Sequence, residues 1–499
     1  MNRFVKKLET GITGFDEIAN GGIPTGRTTL VSGTSGSGKT VFAAQFLAEG
    51  IRHKNQNGVF VTFEEPTEDI RNNLASMDWD IKKWEEEKKW AFVDASPHPG
   101  QETFETGEYD FGALLARIEN AIKKVSAKRV SLDSLGAIFS QFENSGIIRR
   151  ELFRLAYGFK SMGITVIMTA ERLEEYGDIA RHGVEEFVSD NVVILRNTLE
   201  AEKRRRTVEI LKFRGTTHHK GEYPFTIMPG EGIVAIPISS IELKQSSSDL
   251  RITSGSEVLD RMCGGGFFRD SIILVSGATG TGKTLTVTQF IGGGMRNGEK
   301  CVLFAYEESR EQLFRNARGW GFDFEEMEKK GYLKVICQYP ETAGLEDLLI
   351  NIRHTIEEFG PSRVAVDSLS ALERCSTAKG FREFVISVTS YLKMKEIAGL
   401  FTATTPTLMG GTSVTEAHIS TITDSIILLR YVEMLGEMRR GITVLKMRGS
   451  MHEKEILEFN IDSGGMHIGK PFRNVMGILS GQVQHLDEEE YKRMSDMFK

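Results

Sequence analysis

Apolar positions along this chain fall into two kinds of run. Short runs rich in β-branched and other apolar residues recur, without strict alternation: RTTLVSG (27–33), GVFVTFE (58–64), RVSLDSL (129–135) and ITVIMTA (164–170). That is the pattern of strands buried on both faces. Between them lie stretches with apolar residues three and four apart, such as TVFAAQFLAEGI (40–51) and RRELFRLAYGFKSM (149–162). These predict helices. Strand and helix alternate, so the expected fold is α/β, a mostly parallel sheet with helices on both faces.

The whole pattern occurs twice. GTSGSGKT begins at Gly33 and GATGTGKT at Gly277, 244 residues apart. FVTFEE ends at Glu65 and LFAYEE at Glu308, 243 apart. Asp133 of RVSLDSL matches Asp367 of RVAVDSL, Asp190 matches Asp424, and Lys212 of ILKFRGT matches Lys446 of VLKMRGS, each at 234. The drop places extra loop residues in the first copy, in SPHPGQETFETGEYD (96–110). A period of half the chain means duplicated domains rather than a solenoid. We expect one domain over residues 1–237, a polar linker over 238–251 containing Ser246–Ser248, a second domain over 252–480 and a charged tail over 481–499. In the tail, Leu486, Tyr491, Met494 and Phe498 could form one weak helical stripe.

Composition narrows the class. A net charge of -7 makes the whole chain no electrostatic magnet for nucleic acid or anionic membrane, though a local basic patch is compatible with it. The four cysteines all lie in the second half with no CxxC pair. That is neither a zinc pattern nor a disulfide framework, and buried thiols in a reducing cytosol are the plain reading. The N-terminus has no apolar signal core, and no apolar run approaches the ~20 residues of a membrane span. The expectation is a cytoplasmic protein.

The chemistry lies in the repeated blocks. GxxxxGK[ST] between a strand and a helix is a phosphate cradle. Its backbone N–H groups, from Gly33, Thr34, Ser35, Gly36, Ser37 and Gly38 in one copy and Gly277, Ala278, Thr279, Gly280, Thr281 and Gly282 in the other, close around phosphates at a helix N-terminus. Lys39 and Lys283 are expected to reach the β- and γ-phosphates, and Thr40 and Thr284 to ligate Mg²⁺. Asp133 and Asp367 end apolar runs, where a Walker B aspartate would hold the magnesium shell. Glu64–Glu65 and Glu307–Glu308 follow the second strand of each copy, beside the crevice where a carboxylate can take a proton or orient water. Lys212/Arg214 and Lys446/Arg448 are expected on late strands, as cations completing a site across a subunit boundary, in preference to ordinary strand-edge charge. The KRRR run, Lys203–Arg206, reads as a solvated loop rather than a phosphate contact.

The glutamate pairs, GGGFFRDSIIL (264–274) and AHISTITDSIILL (417–429) carry a more specific likeness. The chain resembles the KaiC family, circadian clock ATPases of the RecA-like superfamily, over essentially its whole length to about residue 480. The resemblance implies two tandem RecA-like P-loop domains, ATP and Mg²⁺ as ligands, and a homohexamer of two stacked rings with ATP between neighbouring subunits. It implies that the first domain is a slow ATPase using Glu64 and Glu65. The second would phosphorylate and dephosphorylate its own Ser420 and Thr421, with Glu307 of the Glu307–Glu308 pair as general base. Thr415 matches a secondary site, and Arg374 matches an arginine near the phosphoserine. Lys212, Arg214, Lys446 and Arg448 match residues that contact the neighbour's γ-phosphate.

The repeat adds to this reading. Aligning Asp190 with Asp424 sets Glu186 opposite Ser420 and Phe187 opposite Thr421, so the second copy's hydroxyls have no hydroxyl counterpart in the first. A division of labour follows, ATPase first and autokinase second. Two departures from the family pattern concern partners and balance. The short acidic tail ending at Lys499 does not favour a KaiA-like partner, whereas a KaiB-like protein on the first domain stays open. Glu416 stands just before the acceptors. Two other classes remain: a RecA-like DNA-handling motor, for which KRRR is the one local candidate contact, and a hexameric scaffold glued by ATP without a clock role.

Overall fold

The structure is a computed structural model that describes residues 5–96, 111–139, 145–180, 188–200, 202–237, 247–405, 419–434, 436–473, 475–479 and 484–485. Glu186, Phe187, Thr415, Glu416, most of the expected linker and the stripe in the tail lie outside the described residues. The chain divides into two compact units, Met1–Ile241 and Glu242–Lys499. Among the described residues no helix is long and apolar enough to cross a membrane.

The first unit is built on one nine-stranded sheet. Its strands are β1 (Thr28–Gly33), β2 (Gly58–Thr62), β3 (Trp90–Asp94), β4 (Arg129–Asp133), β5 (Thr165–Glu171), β6 (Asn191–Glu200), β7 (Lys203–Phe213), β8 (Glu222–Met228) and β9 (Gly232–Ala235). They lie in the order β9-β8-β7-β6-β1-β5-β4-β2-β3. Strands β1 to β6 are parallel, and β7, β8 and β9 extend the sheet by antiparallel pairing. The apolar runs of the sequence are the parallel strands. Every residue of β1 is buried because helices cover both faces. Leu30 and Val31 point into opposite cores. Helix α1 (Lys39–Lys54) places Phe42 and Phe46 against one face. Helices α2 (Phe111–Val125) and α3 (Ser145–Ser161) place Ile118, Leu152 and Phe159 against the other.

The second unit repeats this topology. Its strands are β10 (Ile272–Gly277), β11 (Cys301–Ala305), β12 (Leu333–Cys337), β13 (Arg363–Asp367), β14 (Ala398–Thr404), β15 (Ser425–Met434), β16 (Glu437–Met447), β17 (Leu457–Asp462) and β18 (Gly465–Pro471). Their order, β12-β11-β13-β14-β10-β15-β16-β17-β18, is that of the first sheet, strand for strand. Helix α4 (Lys283–Arg296) follows β10 as α1 follows β1, and α5 (Leu345–Phe359) packs with α6 (Ala378–Met394). The α/β reading and the tandem sheets are therefore as the sequence predicts. Arg251, at the end of the expected linker, already pairs with Phe268 in a short strand.

One expectation is corrected. Lys203–Arg206 is not a loop but the opening of β7, paired residue by residue with Asn197–Glu200 of β6. The hairpin ladder supplies the backbone partners, Glu200 lies 3.7 Å from Arg205, and Arg204 donates to the Asn197 carbonyl. Charge along a strand says nothing of its pairing, so the run reads as solvated when viewed in one dimension.

A buried arginine fastens each unit at the same point. Arg129 is fully buried and donates to the carbonyls of Glu9 (2.8 Å), Thr10 (3.1 Å) and Phe46 (2.7 Å) and to Gln56 Oε1 (2.8 Å). Burial pulls its pKa down to about 10. Arg363 makes the matching contacts in the second unit, reaching the carbonyls of Thr253 (2.6 Å) and Phe290 (3.0 Å) and the Glu299 carboxylate. Gly50 and Gly294 stand inside α1 and α4, where a Cβ would come within 2.6 Å of these arginines. Arg129→Met removes the donors facing the Glu9 and Thr10 carbonyls. We expect it to destabilise the first unit by about 3 kcal/mol. Urea unfolding followed by tryptophan fluorescence checks this, since Trp79, Trp84 and Trp90 all lie in that unit; an unchanged midpoint would contradict it.

Candidate nucleotide sites

Both glycine loops sit where a parallel sheet offers a ligand crevice, at the C-terminal ends of the strands. In the first unit β1 ends at Gly33 and α1 begins at Lys39, with Gly38 as its N-cap at φ +94°. No side chain caps this helix, so its first N–H groups face the loop. Ser37 donates to the Thr34 carbonyl at 2.8 Å and holds the loop closed. The Lys39 ammonium donates to the same carbonyl at 2.9 Å. The second loop is built alike. Gly282 caps α4 at φ +107°, Thr281 donates to the Ala278 carbonyl at 2.7 Å, and Lys283 donates to the carbonyls of Gly277 and Ala278 at 3.0 Å each. Ser35, Gly36, Thr279 and Gly280 are exposed at the mouths.

A cavity of about 420 Å³ opens over the first loop. It is lined by loop residues together with Thr40, Glu64, Glu65, Asp133, Ser134 and Glu171. Glu64 accepts from Ser134 Oγ at 2.6 Å, and Glu65 accepts from Asn73 at 3.0 Å. Burial raises the Glu64 pKa, the Ser134 hydrogen bond opposes the rise, and the charges of Glu171 and Asp133 reinforce it. Asp133 is bonded by Thr169 and Thr40, and burial raises its pKa. Burial lowers the Lys39 pKa, opposed by Glu171, Asp133, Glu64 and Glu175.

The second unit brings the matching residues together with different partners. Thr284 donates to Asp367 Oδ2 at 2.7 Å, and Thr402 donates to Oδ1. Burial raises the Asp367 pKa and lowers that of Lys283. Glu307 is paired with Arg374 at 2.8 Å, and Glu308 accepts from Asn316 at 3.3 Å. Burial raises the pKa of Glu308, and the charges of Asp367 and Glu307 reinforce the rise.

The late cations lie at the other end of each sheet. Lys212 pairs with Val192, and Val192 pairs with Leu30, three residues before the Gly33 that opens the P-loop. At ~3.3 Å per residue that is about 10 Å along the strand. Both cations also lean further away, for Lys212 donates to the Ser189 carbonyl at 3.0 Å and Arg214 pairs with Asp190 at 3.5 Å. The second unit repeats the arrangement. Lys446 stands opposite Ile426 and Leu274 and donates to the Thr423 carbonyl at 2.6 Å. Arg448 pairs with Asp424 at 3.6 Å and donates to the Thr421 carbonyl at 2.8 Å. Ser420 and Thr421 form a 3₁₀ turn, Ile419–Thr421, just before β15. The cations and the expected acceptors thus share the edge opposite their own P-loop.

Sequence reasoning missed four contributors to these sites. Ser134 holds Glu64. Glu175 accepts from Thr34 Oγ1 at 2.6 Å and from the Asn197 N–H at 3.0 Å, tying the loop to β6. Arg206, of the misread KRRR run, donates to the Gly36 carbonyl at 3.2 Å. Glu171 closes β5 inside the cavity. The signal for Glu171 was present, a carboxylate right after an apolar run. A search keyed to matching blocks passes over it, because the second copy has Thr404 there.

Comparison with known proteins agrees with this geometry. The family model described as "ATPase: KaiC" matches residues 8–240 and again residues 252–472. The chain is 66% identical to the circadian clock protein KaiC3 of Synechocystis sp. over 494 residues, covering 99% of this chain and 98% of that protein. It is 58% identical over 492 residues to the circadian clock oscillator protein KaiC of Picosynechococcus sp., covering 98% and 95%. It is 56% identical over 492 residues to the oscillator protein KaiC 1 of Synechocystis sp., covering 98% and 94%. With two P-loops on two sheets of one topology, and both copies matched by one family model, the chain belongs to the KaiC family of circadian clock ATPases.

Proposed function

We propose that this protein hydrolyses ATP in its first domain and, in its second, transfers phosphate from ATP to Ser420 and Thr421 and back. It works as a cytoplasmic homohexamer of two stacked rings in a timing system, with a KaiB-like partner on the first domain. We take the domains as residues 1–237 and 252–480. The observation that carries the reading is the split between the sheet edges. A P-loop stands at one edge, while Lys212/Arg214 or Lys446/Arg448, and in the second unit the acceptor turn, stand at the other. A γ-phosphate on one copy therefore meets the cations and acceptors of a second copy, as in a closed ring.

The residues present fit a magnesium–ATP complex. Thr284 and Asp367 are within hydrogen-bond distance of each other, as are Thr40 and Asp133. Among the described residues no group of three or more His, Cys, Asp or Glu is placed to hold a metal. These pairs would hold Mg²⁺ jointly with the nucleotide's phosphates, and the ion would offset phosphate charge there. At the first site Glu64 takes the proton of the attacking water, the water oxygen bonds to the γ-phosphorus, and the bond to the bridging oxygen of ADP breaks. At the second, Glu307 takes the proton from the Ser420 or Thr421 hydroxyl of the neighbouring copy, which bonds to phosphorus as ADP leaves. The Arg374 pair keeps Glu307 at the mouth of the crevice. The burial of Glu308 makes it the competing base, so both glutamates enter the test.

Glu64→Gln is expected to cut ATP hydrolysis by about 100-fold or more, the scale of general-base catalysis. Glu307→Gln is expected to cut transfer of labelled γ-phosphate to the protein on the same scale, and Glu308→Gln less. Transfer at the wild-type rate in Glu307→Gln with loss in Glu308→Gln would reverse the assignment. Ser420→Ala/Thr421→Ala is expected to abolish the label.

Action between copies has its own signature. Lys39→Ala destroys a P-loop and Arg214→Ala the opposite edge, so each homo-oligomer should hydrolyse little ATP at the first site. Mixed oligomers contain junctions where an intact loop meets an intact arginine. Mixing is expected to restore about a quarter of first-site hydrolysis, from random pairing of edges in a closed ring. No recovery, in oligomers shown to have exchanged subunits, would mean the cations act within one copy.

A further inference from the structure

Glu171 is one residue by which the first site differs in charge from the second. It ends β5, and its Cα pairs with Gly33, the first glycine of the P-loop. The same register in the second unit pairs Gly277 with Thr404. Glu171 lines one cavity with Lys39, Thr40, Glu64, Asp133 and Ser134. A methyl group built on Gly136 would lie 3.9 Å from Glu64 Oε1 and 4.0 Å from Glu171 Cγ, so the two carboxylate side chains flank a common point. Among the charges that act on Lys39, that of Glu171 is the strongest, and the same holds for Glu64.

The number of acceptors matters because the two nucleophiles differ. Water carries two O–H bonds, and its lone pair faces phosphorus only if both hydrogens are drawn elsewhere. An ionised carboxylate accepts and never donates, so it can take such a hydrogen but cannot bind the anionic phosphate oxygens. Glu64 supplies one acceptor. A serine or threonine hydroxyl carries one O–H and needs one acceptor, which Glu307 or Glu308 supplies. The second unit has a neutral side chain where the first has Glu171.

We propose that Glu171 is a second water-holding residue of the first site, and that its replacement by Thr404 helps to fit the second site for a hydroxyl of the protein. The inference rests on the reading of the first site as an ATP hydrolase. In the step itself the water oxygen bonds to the γ-phosphorus and the bond to the bridging oxygen breaks, leaving ADP. One proton passes to Glu64. The other hydrogen stays on the attacking oxygen, held by Glu171, and leaves with inorganic phosphate. Glu171 repels the γ-phosphate when water is not between them, and Lys39 offsets that charge. Its loss should therefore slow the chemical step more than it weakens nucleotide binding.

The test uses the full chain with the second site disabled by Lys283→Ala in every protein. Turnover of ATP and affinity for a non-hydrolysable ATP analogue are measured for this parent, for Glu171→Gln, which keeps the shape, and for Glu171→Thr, which installs the second unit's residue. Both variants are expected to lose about 10-fold or more in kcat, the lower range for a lost proton acceptor. Their analogue affinity should stay within about threefold of the parent or tighten. Turnover within twofold of the parent in Glu171→Gln would overturn the proposal. So would a loss of affinity as large as the loss of turnover, which marks a residue that only shapes the pocket. A parent that binds the analogue but hydrolyses no ATP would instead contradict the hydrolase reading of the first site, and the role of Glu171 with it.

Discussion

The structure depends on a constraint of parallel pairing. Strands β1 to β6 all run one way, so every loop that follows a strand end gathers at one edge of the sheet and every loop that precedes one gathers at the other. The P-loop and the glutamate pair follow strands, and Asp133 and Glu171 end them. Asp190, Ser189 and the cations they hold stand at the starts of β6 and the end of antiparallel β7. A single copy of this fold cannot fold its own Lys212 back onto its own phosphate cradle without breaking that register. Under the proposed reading, a second copy is called for by the connectivity itself.

The same constraint acts twice and with unequal results. The phosphate cradles are nearly interchangeable: glycine caps of the same hand, a hydroxyl closing each loop, a lysine on the loop carbonyls, a threonine beside a buried aspartate. Differences collect around them. Four carboxylates, Glu171, Asp133, Glu64 and Glu175, act on Lys39 in the first crevice, and Glu64 is bonded to Ser134. In the second, Glu307 pairs with Arg374 at the mouth, the half-buried Glu308 accepts from Asn316, and Thr404 stands where the first has Glu171. Duplication kept what binds phosphate and varied what faces it.

Much of this was legible in the sequence because parallel strands announce themselves. Thr28–Gly33 and Ile272–Gly277 are buried on both faces and so carry only aliphatic, hydroxyl and glycine residues, and the glycine loops follow them directly. The internal repeat then located the aspartates, the glutamate pairs and the late cations by position alone. What stayed hidden depends on pairing. Lys203–Arg206 looks like a solvated run until β6 is laid beside it, and Arg206 reaches Gly36 only through that hairpin. Glu171 was hidden for the opposite reason, since comparison of copies finds what they share and Glu171 is where they part. That the cations point away from their own loop required the register of β7 on β6 on β1, which no one-dimensional pattern carries.

The central claim is that two similar cradles serve two different nucleophiles. Purified protein incubated with Mg-ATP, sampled over a day and mapped for phosphorylated residues, tests it directly. The account predicts phosphate on Ser420 and Thr421, rising and later falling, with steady release of inorganic phosphate throughout and no acceptor in the first unit. Phosphate release with Ser420 and Thr421 unmodified at every time, or a phosphorylated residue in the first unit, would contradict it.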